Sequence, residues 1–143
     1  MSVEETLARV ELFSELEKED IERLAKVTVV REFKKGDVVV REGELGVAFY
    51  IVGKGSVEIV KSLGSGNEQV VAVATPGQFF GEMALCDNQV RSHSVRAAED
   101  TECLVLTKWD FNAELTTSPK IAHAMLTILA RRLRNVVQES HTH

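Results

Sequence analysis

The middle of the chain is a series of short runs of β-branched and aromatic residues, each about four to eight residues long and separated by glycine-containing breaks. Such runs are typical of β-strands, because β-branched and aromatic side chains pack well on a pleated surface. The runs are TVVREF at 28–33, VVVRE at 38–42, AFYIVG at 48–53, SVEIVKSL at 56–63, EQVVAVA at 68–74 and TECLVLT at 101–107. The glycine-rich segment KSLGSGNEQ at 61–69 predicts a hairpin tip. The series therefore predicts a small β-sandwich or barrel over about residues 28–107.

Helices are predicted on both sides of these strands. Apolar residues recur at intervals of three or four in SVEETLARVELF (2–13) and in LEKEDIERLAKV (16–27), which predicts two short amphipathic helices over about residues 2–27. Towards the other end, about 108–138, Ser118 can cap a long helix whose first residue is Pro119 and which runs to about Gln138.

The predicted long helix has two adjacent apolar stripes. One stripe is formed by Ala122, Leu126, Leu129, Leu133 and Val136, and the other by Ile121, Met125 and Ile128. One stripe can pack on the strands and the other on the same helix of a second copy, which predicts a homodimer. A single broad stripe that faces the core is the alternative.

Length, charge and composition limit the functions to be considered. A chain of 143 residues with 44% hydrophobic residues is predicted to be a single globular domain, residues 1–143. A net charge of −5 and a pI of about 5.4 argue against direct binding of DNA or RNA. The start of the chain is acidic and no long apolar run occurs, so we expect a cytoplasmic protein without a membrane segment. The spacing of Cys86 and Cys103 fits neither a metal site nor a redox pair, which predicts reduced, buried thiols.

The segment PGQFFGEMALCDNQVRSHSV, residues 76–95, has the composition of an anion-binding site. Gly81 lacks a Cβ, so a ligand can approach its backbone, and GEMALC predicts a short helical turn whose first amides are unpaired. Arg91 provides a planar set of donors that suits a phosphodiester. Glu82 would repel that anion, so it is expected to accept hydrogen bonds from a donor such as a hydroxyl. The alternative is that Glu82 and Arg91 simply form an ion pair.

The chain resembles the cyclic nucleotide-binding domain family, which includes the bacterial catabolite activator proteins and the regulatory subunits of cyclic-nucleotide-dependent protein kinases. The resemblance covers about residues 10–137. It is carried by the glycines at 36, 43, 53 and 55, by the segment from Gly77 to Arg91 with Phe80, Ala84 and Leu85 in register, and by the aromatic WDF at 109–111. It implies a double-stranded β-helix, a jelly-roll-like β-roll with short N-terminal helices and a long C-terminal helix.

The resemblance also implies roles for individual residues. The phosphate would lie on Arg91, on Ser92 and on the amides from Gly81 through Met83 to Ala84, and the ribose on Glu82. The base would lie towards the long helix, where the polar candidates for a lid contact are Arg131, Arg132, Arg134 and Asn135.

The chain departs from the family's pattern at several positions. Val90 precedes Arg91 where kinase-type segments have a proline, and His93 stands where a small residue is common. His93 could point outward or crowd the base pocket, and we favour the outward orientation. Val47 and Ala48 are more apolar than the family's usual polar pair. Ser92 leaves the choice between cyclic AMP and cyclic GMP open, and prevalence in the family favours cyclic AMP.

Other function classes find less support in the sequence. The metal-dependent cupins also form β-rolls, but they need a His-x-His pair on the strands, and the only such pair here is His141 and His143. The motifs of hydrolases, nucleotide triphosphatases and metalloproteases are missing, so no enzyme activity and no cofactor are expected. The sequence therefore predicts a cyclic-nucleotide sensor, either alone or as part of a longer regulator. A related fold that has lost its ligand and serves as a dimerisation or docking module is the alternative.

Overall fold

The computed structural model describes residues 2–141, except for the side chains at positions 83, 84, 140 and 141. The helices are α1 (Val3–Ala8), α2 (Lys18–Val27), α3 (Glu82–Cys86), α4 (Lys108–Thr117) and α5 (Pro119–His141), with a 3₁₀ turn at Glu11–Phe13. The strands are β1 (Val29–Phe33), β2 (Val38–Val40), β3 (Ala48–Lys54), β4 (Val57–Lys61), β5 (Gln69–Ala74), β6 (Phe79–Phe80), β7 (Ser94–Ala97) and β8 (Thr101–Thr107).

The strands form two four-stranded antiparallel sheets. The strand order is β1-β8-β3-β6 in the first sheet and β2-β7-β4-β5 in the second. Hydrogen-bonded neighbours are mostly far apart in sequence, as in the pairing of Val29 with Val105 and of Val57 with Ala97. The fold is therefore a mostly β, jelly-roll-like β-roll with flanking helices, as predicted.

Two apolar clusters share strand β3, which explains why its sequence is apolar on both faces. Phe49 and Ile51 point into a cluster between the first sheet and the helices, where they meet Leu104 and Ile121. The alternating residues Ala48, Tyr50 and Val52 point into a second cluster between the two sheets. Because successive residues of a strand face opposite sides, a strand between two cores needs apolar residues at every position.

The two stripes of α5 have different environments. Ile121 and Met125 are buried in the core and Ile128 packs against it, whereas Leu126 and Leu133 are 68% and 65% exposed. The stripe of Ile121, Met125 and Ile128 thus faces the roll, and much of the other stripe faces solvent. None of the helices described could span a bilayer.

The first predicted helix is interrupted. It was expected over 2–13, but α1 ends at Ala8, Val10 is extended, and the 3₁₀ turn follows. Leu7, Val10 and Leu12 are each at most 2% exposed. A continuous helix would turn Val10 and Leu12 to nearly opposite faces, and the break allows both to reach the core.

The prediction of buried thiols is correct for one cysteine and wrong for the other. Both cysteines are free, but Cys86 is exposed and Cys103 is buried. Burial raises the pKa of the Cys103 thiol to about 12. Cys86 is the last residue of the short helix α3.

Candidate functional site

Arg91 is a buried guanidinium held by the main chain of two other segments. Its side chain is 5% exposed, Nη1 donates a hydrogen bond to the carbonyl of Gly81, and Nη2 donates to the carbonyl of Ala48 at 2.7 Å. Burial lowers the pKa of this guanidinium, although arginine stays charged in proteins. Two of its five N–H groups have these partners, which leaves donors for an anion.

Gly81 is required beside Arg91 for two reasons. Its φ of +85° lies in the left-handed region, which favours glycine. A Cβ atom at this position would also lie 2.6 Å from Nη1 of Arg91. The space left by the missing side chain, which we expected a ligand to approach, therefore holds the guanidinium in this structure.

Glu82, the first residue of α3, is a buried carboxylate with a partner from α5. It is 4% exposed, and Oε1 accepts a hydrogen bond from Nη1 of Arg132 at 2.8 Å. Burial raises the pKa of the Glu82 carboxyl, against the opposing effects of its own amide, Arg132 and Arg91. Among the described residues, Glu82 forms an ion pair with Arg132 and none with Arg91. The alternative of a simple Glu82–Arg91 ion pair is therefore not found.

Arg132 connects α5 to the roll through several contacts. Besides its bond to Glu82, Nη2 donates to the carbonyl of Phe79 at 3.2 Å, and the guanidinium carbon lies 4.3 Å from the centroid of the Phe79 ring. The Arg132 side chain is 43% exposed, so solvent reaches one side of this group. A cation over an aromatic face and a buried carboxylate both stabilise this orientation.

A cavity of about 530 Å³ lies between the roll and the second half of α5. Volumes of about 300–1,000 Å³ are common for small-molecule sites. Gly81, Glu82 and Arg91 line it from the roll, and Arg132 and Asn135 line it from α5. The structure thus places the predicted phosphate-side and ribose-side residues and two of the four predicted lid residues around one space.

His93 lines this cavity, so the outward orientation that we favoured is wrong. The side chain is half-buried, and Nδ1 lies 2.8 Å from Oγ of Ser92, which also lines the cavity.

The other predicted contacts lie elsewhere. Arg131 forms an ion pair with Glu11 at 2.9 Å and lines a smaller neighbouring cavity of about 240 Å³. Val90 pairs with Leu45 and is 49% exposed, and neither it nor the exposed Arg134 lines the larger cavity. The backbone of Met83 and Ala84 lies in α3, and their side chains are outside the described part of the chain.

Several residues of the cavity wall were not predicted. They include valines 40, 71, 73, 95 and 136, together with Ile59, Gln78, Phe79 and Glu139. Two signals could have identified some of them. The run QVVAVA has valines on both faces of an edge strand, where one face is ordinarily polar. The stripe that ends at Ile128 also continues, at helical spacing, with Arg132, Asn135 and Glu139, which selects Arg132 over Arg131 and Arg134.

A metal centre finds no support in the described part of the chain. Among those residues, no group of three or more His, Cys, Asp or Glu side chains is placed to hold an ion. The terminal His-x-His pair is outside this statement, because His143 and the side chain of His141 lie beyond the described residues.

Comparison with known proteins agrees with this geometry. The family model for the cyclic nucleotide-binding domain matches residues 30–118, which include both sheets' central strands, Gly81, Glu82 and Arg91. The chain belongs to the cyclic nucleotide-binding domain family. This membership confirms the resemblance identified from the sequence.

The relatives include proteins named for cyclic AMP and proteins named for cGMP. The chain is 37% identical over 123 residues to the cyclic AMP receptor protein of Thermus thermophilus, covering 86% of this chain and 57% of that protein. It is 34% identical over 113 residues to human cGMP-dependent protein kinase 2, covering 78% of this chain and 15% of the kinase. The crystal structure of the Thermus thermophilus catabolite activator protein superposes with a TM-score of 0.82 at 36% identity, covering 92% of this chain and 62% of that one. The chain therefore spans less than two thirds of the length of these relatives.

Proposed function

We propose that this chain is a receptor for a cyclic mononucleotide, and that it regulates rather than catalyses. The observation that carries the proposal is the presence of a buried guanidinium, Arg91, and a buried carboxylate, Glu82, on the wall of one cavity of about 530 Å³. A buried charge is costly unless it has a partner of opposite charge or strong hydrogen bonds. A ligand with an anionic end and a hydroxyl-bearing end satisfies both groups.

The phosphate end of the ligand is assigned to Arg91. The carbonyls of Gly81 and Ala48 fix the orientation of this guanidinium and of its remaining donors, which favours binding because less freedom has to be lost. The Ser92 hydroxyl and the amides at the start of α3 are the further donors in this assignment. A phosphodiester accepts such charge-assisted hydrogen bonds in pairs.

The ribose end is assigned to Glu82, and this assignment links the ligand to α5. In this structure Arg132 donates a hydrogen bond to Oε1 of Glu82. A ribose 2′-hydroxyl that donates to this carboxylate competes with Arg132 or rearranges its contacts. The ligand would then change the packing of α5 by as much as its contacts differ between the two arrangements.

The base is assigned to the apolar part of the cavity near α5. Val71 and Val73 from β5 and Asn135 from α5 line the cavity, which thus offers apolar surface and one amide that can donate or accept. Both cyclic AMP and cyclic GMP can bind at such a site. We propose cyclic AMP as the first ligand to test, with cyclic GMP as the alternative, and no separate cofactor.

A second function is proposed for the exposed stripe of α5. Leu126 and Leu133 are each more than half exposed along one side of a helix whose other side packs on the roll. Two copies of such a helix can bury these stripes against each other, which supports the predicted homodimer. If no cyclic nucleotide binds, this stripe favours the alternative of a dimerisation or docking module. The proposed receptor would act in the cytoplasm as a single domain that does not itself contact DNA.

Calorimetric titration of the nucleotide-stripped protein with cyclic AMP, cyclic GMP and 5′-AMP tests the proposal. We expect micromolar or tighter binding of at least one cyclic nucleotide, and none of 5′-AMP, because the uncyclised phosphate has a different shape and charge. No heat with any of the three, from a sample shown to be folded, would contradict the receptor and leave the docking module.

A further inference from the structure

The contact between Ser92 and His93 determines whether the Ser92 hydroxyl can serve the ligand. Oγ of Ser92 lies 2.8 Å from Nδ1 of His93, and both side chains line the cavity. A serine hydroxyl has one hydrogen to donate. When Nδ1 carries no hydrogen, the hydroxyl donates to it. When Nδ1 carries a hydrogen, Nδ1 donates to Oγ and the hydroxyl hydrogen is released.

An anionic phosphate requires the second arrangement. The oxygens of a phosphodiester are acceptors only, so a hydroxyl that donates to His93 offers them nothing but repulsion between lone pairs. The neutral imidazole carries a hydrogen on Nδ1 in only one of its two tautomers, whereas the protonated ring always does and also adds a positive charge beside the position assigned to the phosphate. Both effects favour the anion.

Two of the donors of Arg91 are already used by main-chain carbonyls, which makes an additional donor and cation valuable on this side of the cavity. We propose that His93 is a further ligand-binding residue: its protonated imidazole frees the Ser92 hydroxyl for the phosphate and supplies positive charge, so cyclic nucleotide binds more tightly as the pH falls. This inference rests on the proposed function, and it assigns His93 to the phosphate side instead of the base side.

Most of the charged side chains around His93 form hydrogen bonds or ion pairs with other residues. Glu42, after β2, accepts from Nζ of Lys61 at 2.9 Å, and the same Nζ donates to the carbonyl of Ser92 at 3.1 Å. The pKa of the Glu42 carboxyl is lowered by a hydrogen bond from the Ser62 amide, by Lys61 and, less strongly, by His93. These contacts tie the segment of Ser92 and His93 to the β4–β5 hairpin.

Other charged side chains face His93 across the cavity. Arg91 and Glu82 face it from the roll, and Arg132 and Glu139 face it from α5. Glu82 is paired with Arg132. Protonation of Glu82 at low pH would weaken ribose binding, which is opposite in sign to the effect proposed for His93. A ligand without the 2′-hydroxyl removes that opposing contribution.

The experiment is a titration of 2′-deoxy cyclic AMP, with cyclic AMP in parallel, between about pH 8 and about pH 5.5 at constant ionic strength. Histidine ordinarily exchanges a proton within this range. For the wild type we expect the affinity for the 2′-deoxy ligand to rise by at least about fivefold towards low pH, because one hydrogen bond of about 1 kcal/mol alone gives that factor and the charge of His93 adds to it.

Matched variants separate His93 from other titrating groups. In His93→Asn an amide replaces the imidazole and cannot gain a proton, so we expect a flat pH profile. His123 lies exposed on α5 and lines neither cavity, so His123→Asn is expected to keep the wild-type profile. Ser92→Ala is expected to lose part of the gain, because only the charge of His93 remains.

A measurement on the wild type alone provides an independent check. Calorimetry near pH 6.5 in two buffers of different ionisation enthalpy reports the protons exchanged on binding. We expect net proton uptake with the 2′-deoxy ligand. A His93→Asn profile that rises as in the wild type, or binding without proton uptake, would overturn the role of His93 while leaving the receptor intact. Absence of binding by the wild type at every pH would instead overturn the proposed function itself.

Discussion

Arg91 and Arg132 line the same cavity from opposite sides, and the structure holds them in different ways. Arg91 is buried and donates hydrogen bonds to the carbonyls of Gly81, which follows β6, and of Ala48, the first residue of β3. Arg132 is 43% exposed on α5 and is bonded to the side chain of Glu82 and to one carbonyl. The Ala48 carbonyl belongs to a paired strand, whereas a helix such as α5 can change its packing. In the proposed receptor, the roll would recognise the ligand and α5 would respond to it.

The largest expected effect comes from removing the roll-side guanidinium. Arg91→Leu is expected to weaken cyclic nucleotide binding by about 2–5 kcal/mol, because charge-assisted bonds are lost and the phosphate is left unpaired. Titration calorimetry measures the change, and thermal unfolding checks that the variant remains folded. Arg134→Leu is the matched control, since Arg134 is an exposed arginine outside the cavity wall. Binding by Arg91→Leu within about threefold of the wild type would refute the phosphate assignment, since charged bonds of this type are worth far more.

The second prediction concerns the space that Gly81 provides for Arg91. Gly81→Ala is expected to cost about 1–3 kcal/mol of stability through its backbone conformation and to weaken ligand binding as well. Gly77 is the matched control, because its φ of +90° is similar but a Cβ there meets nothing within 4 Å. Both variants share the backbone cost, and Gly81→Ala adds the close contact with Arg91, so a loss of affinity is expected for Gly81→Ala and not for Gly77→Ala. Equal affinity in the two variants would show that the position of Arg91 does not depend on Gly81.

The third prediction concerns the ribose side. Glu82→Gln is expected to weaken binding of cyclic AMP by about 1–2 kcal/mol, because a charged acceptor of the 2′-hydroxyl is replaced by a neutral one. The 2′-deoxy analogue lacks that hydroxyl and should bind the variant and the wild type almost equally. Parallel titrations of both ligands measure the difference. Equal losses for the two ligands would show that Glu82 has only a structural role.

The smallest effect is expected in the stability of the free protein. Because burial raises the pKa of Glu82, the native state holds this proton more tightly than the unfolded chain does. This contribution to stability is fully present below the pKa that the Glu82 carboxyl has in the unfolded chain. It is lost as the pH rises through the higher pKa of the same carboxyl in the folded protein. We therefore expect Glu82→Gln to show less loss of stability than the wild type between acidic and neutral pH, measured by urea unfolding. A steeper loss in the variant would mean that the Arg132 contact outweighs burial.

The roll was largely predictable from the sequence, because its features are local. The glycine breaks and the apolar runs indicated six strands near their actual positions, and Pro119 marked the start of α5. Strand β6 has only two residues and no periodicity to detect. The break after α1 depends on which side chains reach the core, and this is decided by tertiary packing.

The site was predictable where a residue type has few uses. A glycine beside an acid, with an arginine further along, indicated Gly81, Glu82 and Arg91. The orientation of His93 and the exposure of Cys86 depend on neighbours distant in sequence, so both predictions were wrong. The partner of Glu82 was not predictable, because a long arginine side chain can reach several groups. Only the helical face of Arg132 could have selected it.

A crystal structure of the complex with cyclic AMP tests the central claim most directly. The account predicts phosphate oxygens within about 3.2 Å of Arg91 and the ribose 2′-hydroxyl at the same range from Glu82, with the Arg132 contact to Oε1 broken or rearranged. A phosphate bound to Arg132 on α5, or a ligand outside the cavity while the Glu82–Arg132 pair remains intact, would contradict it.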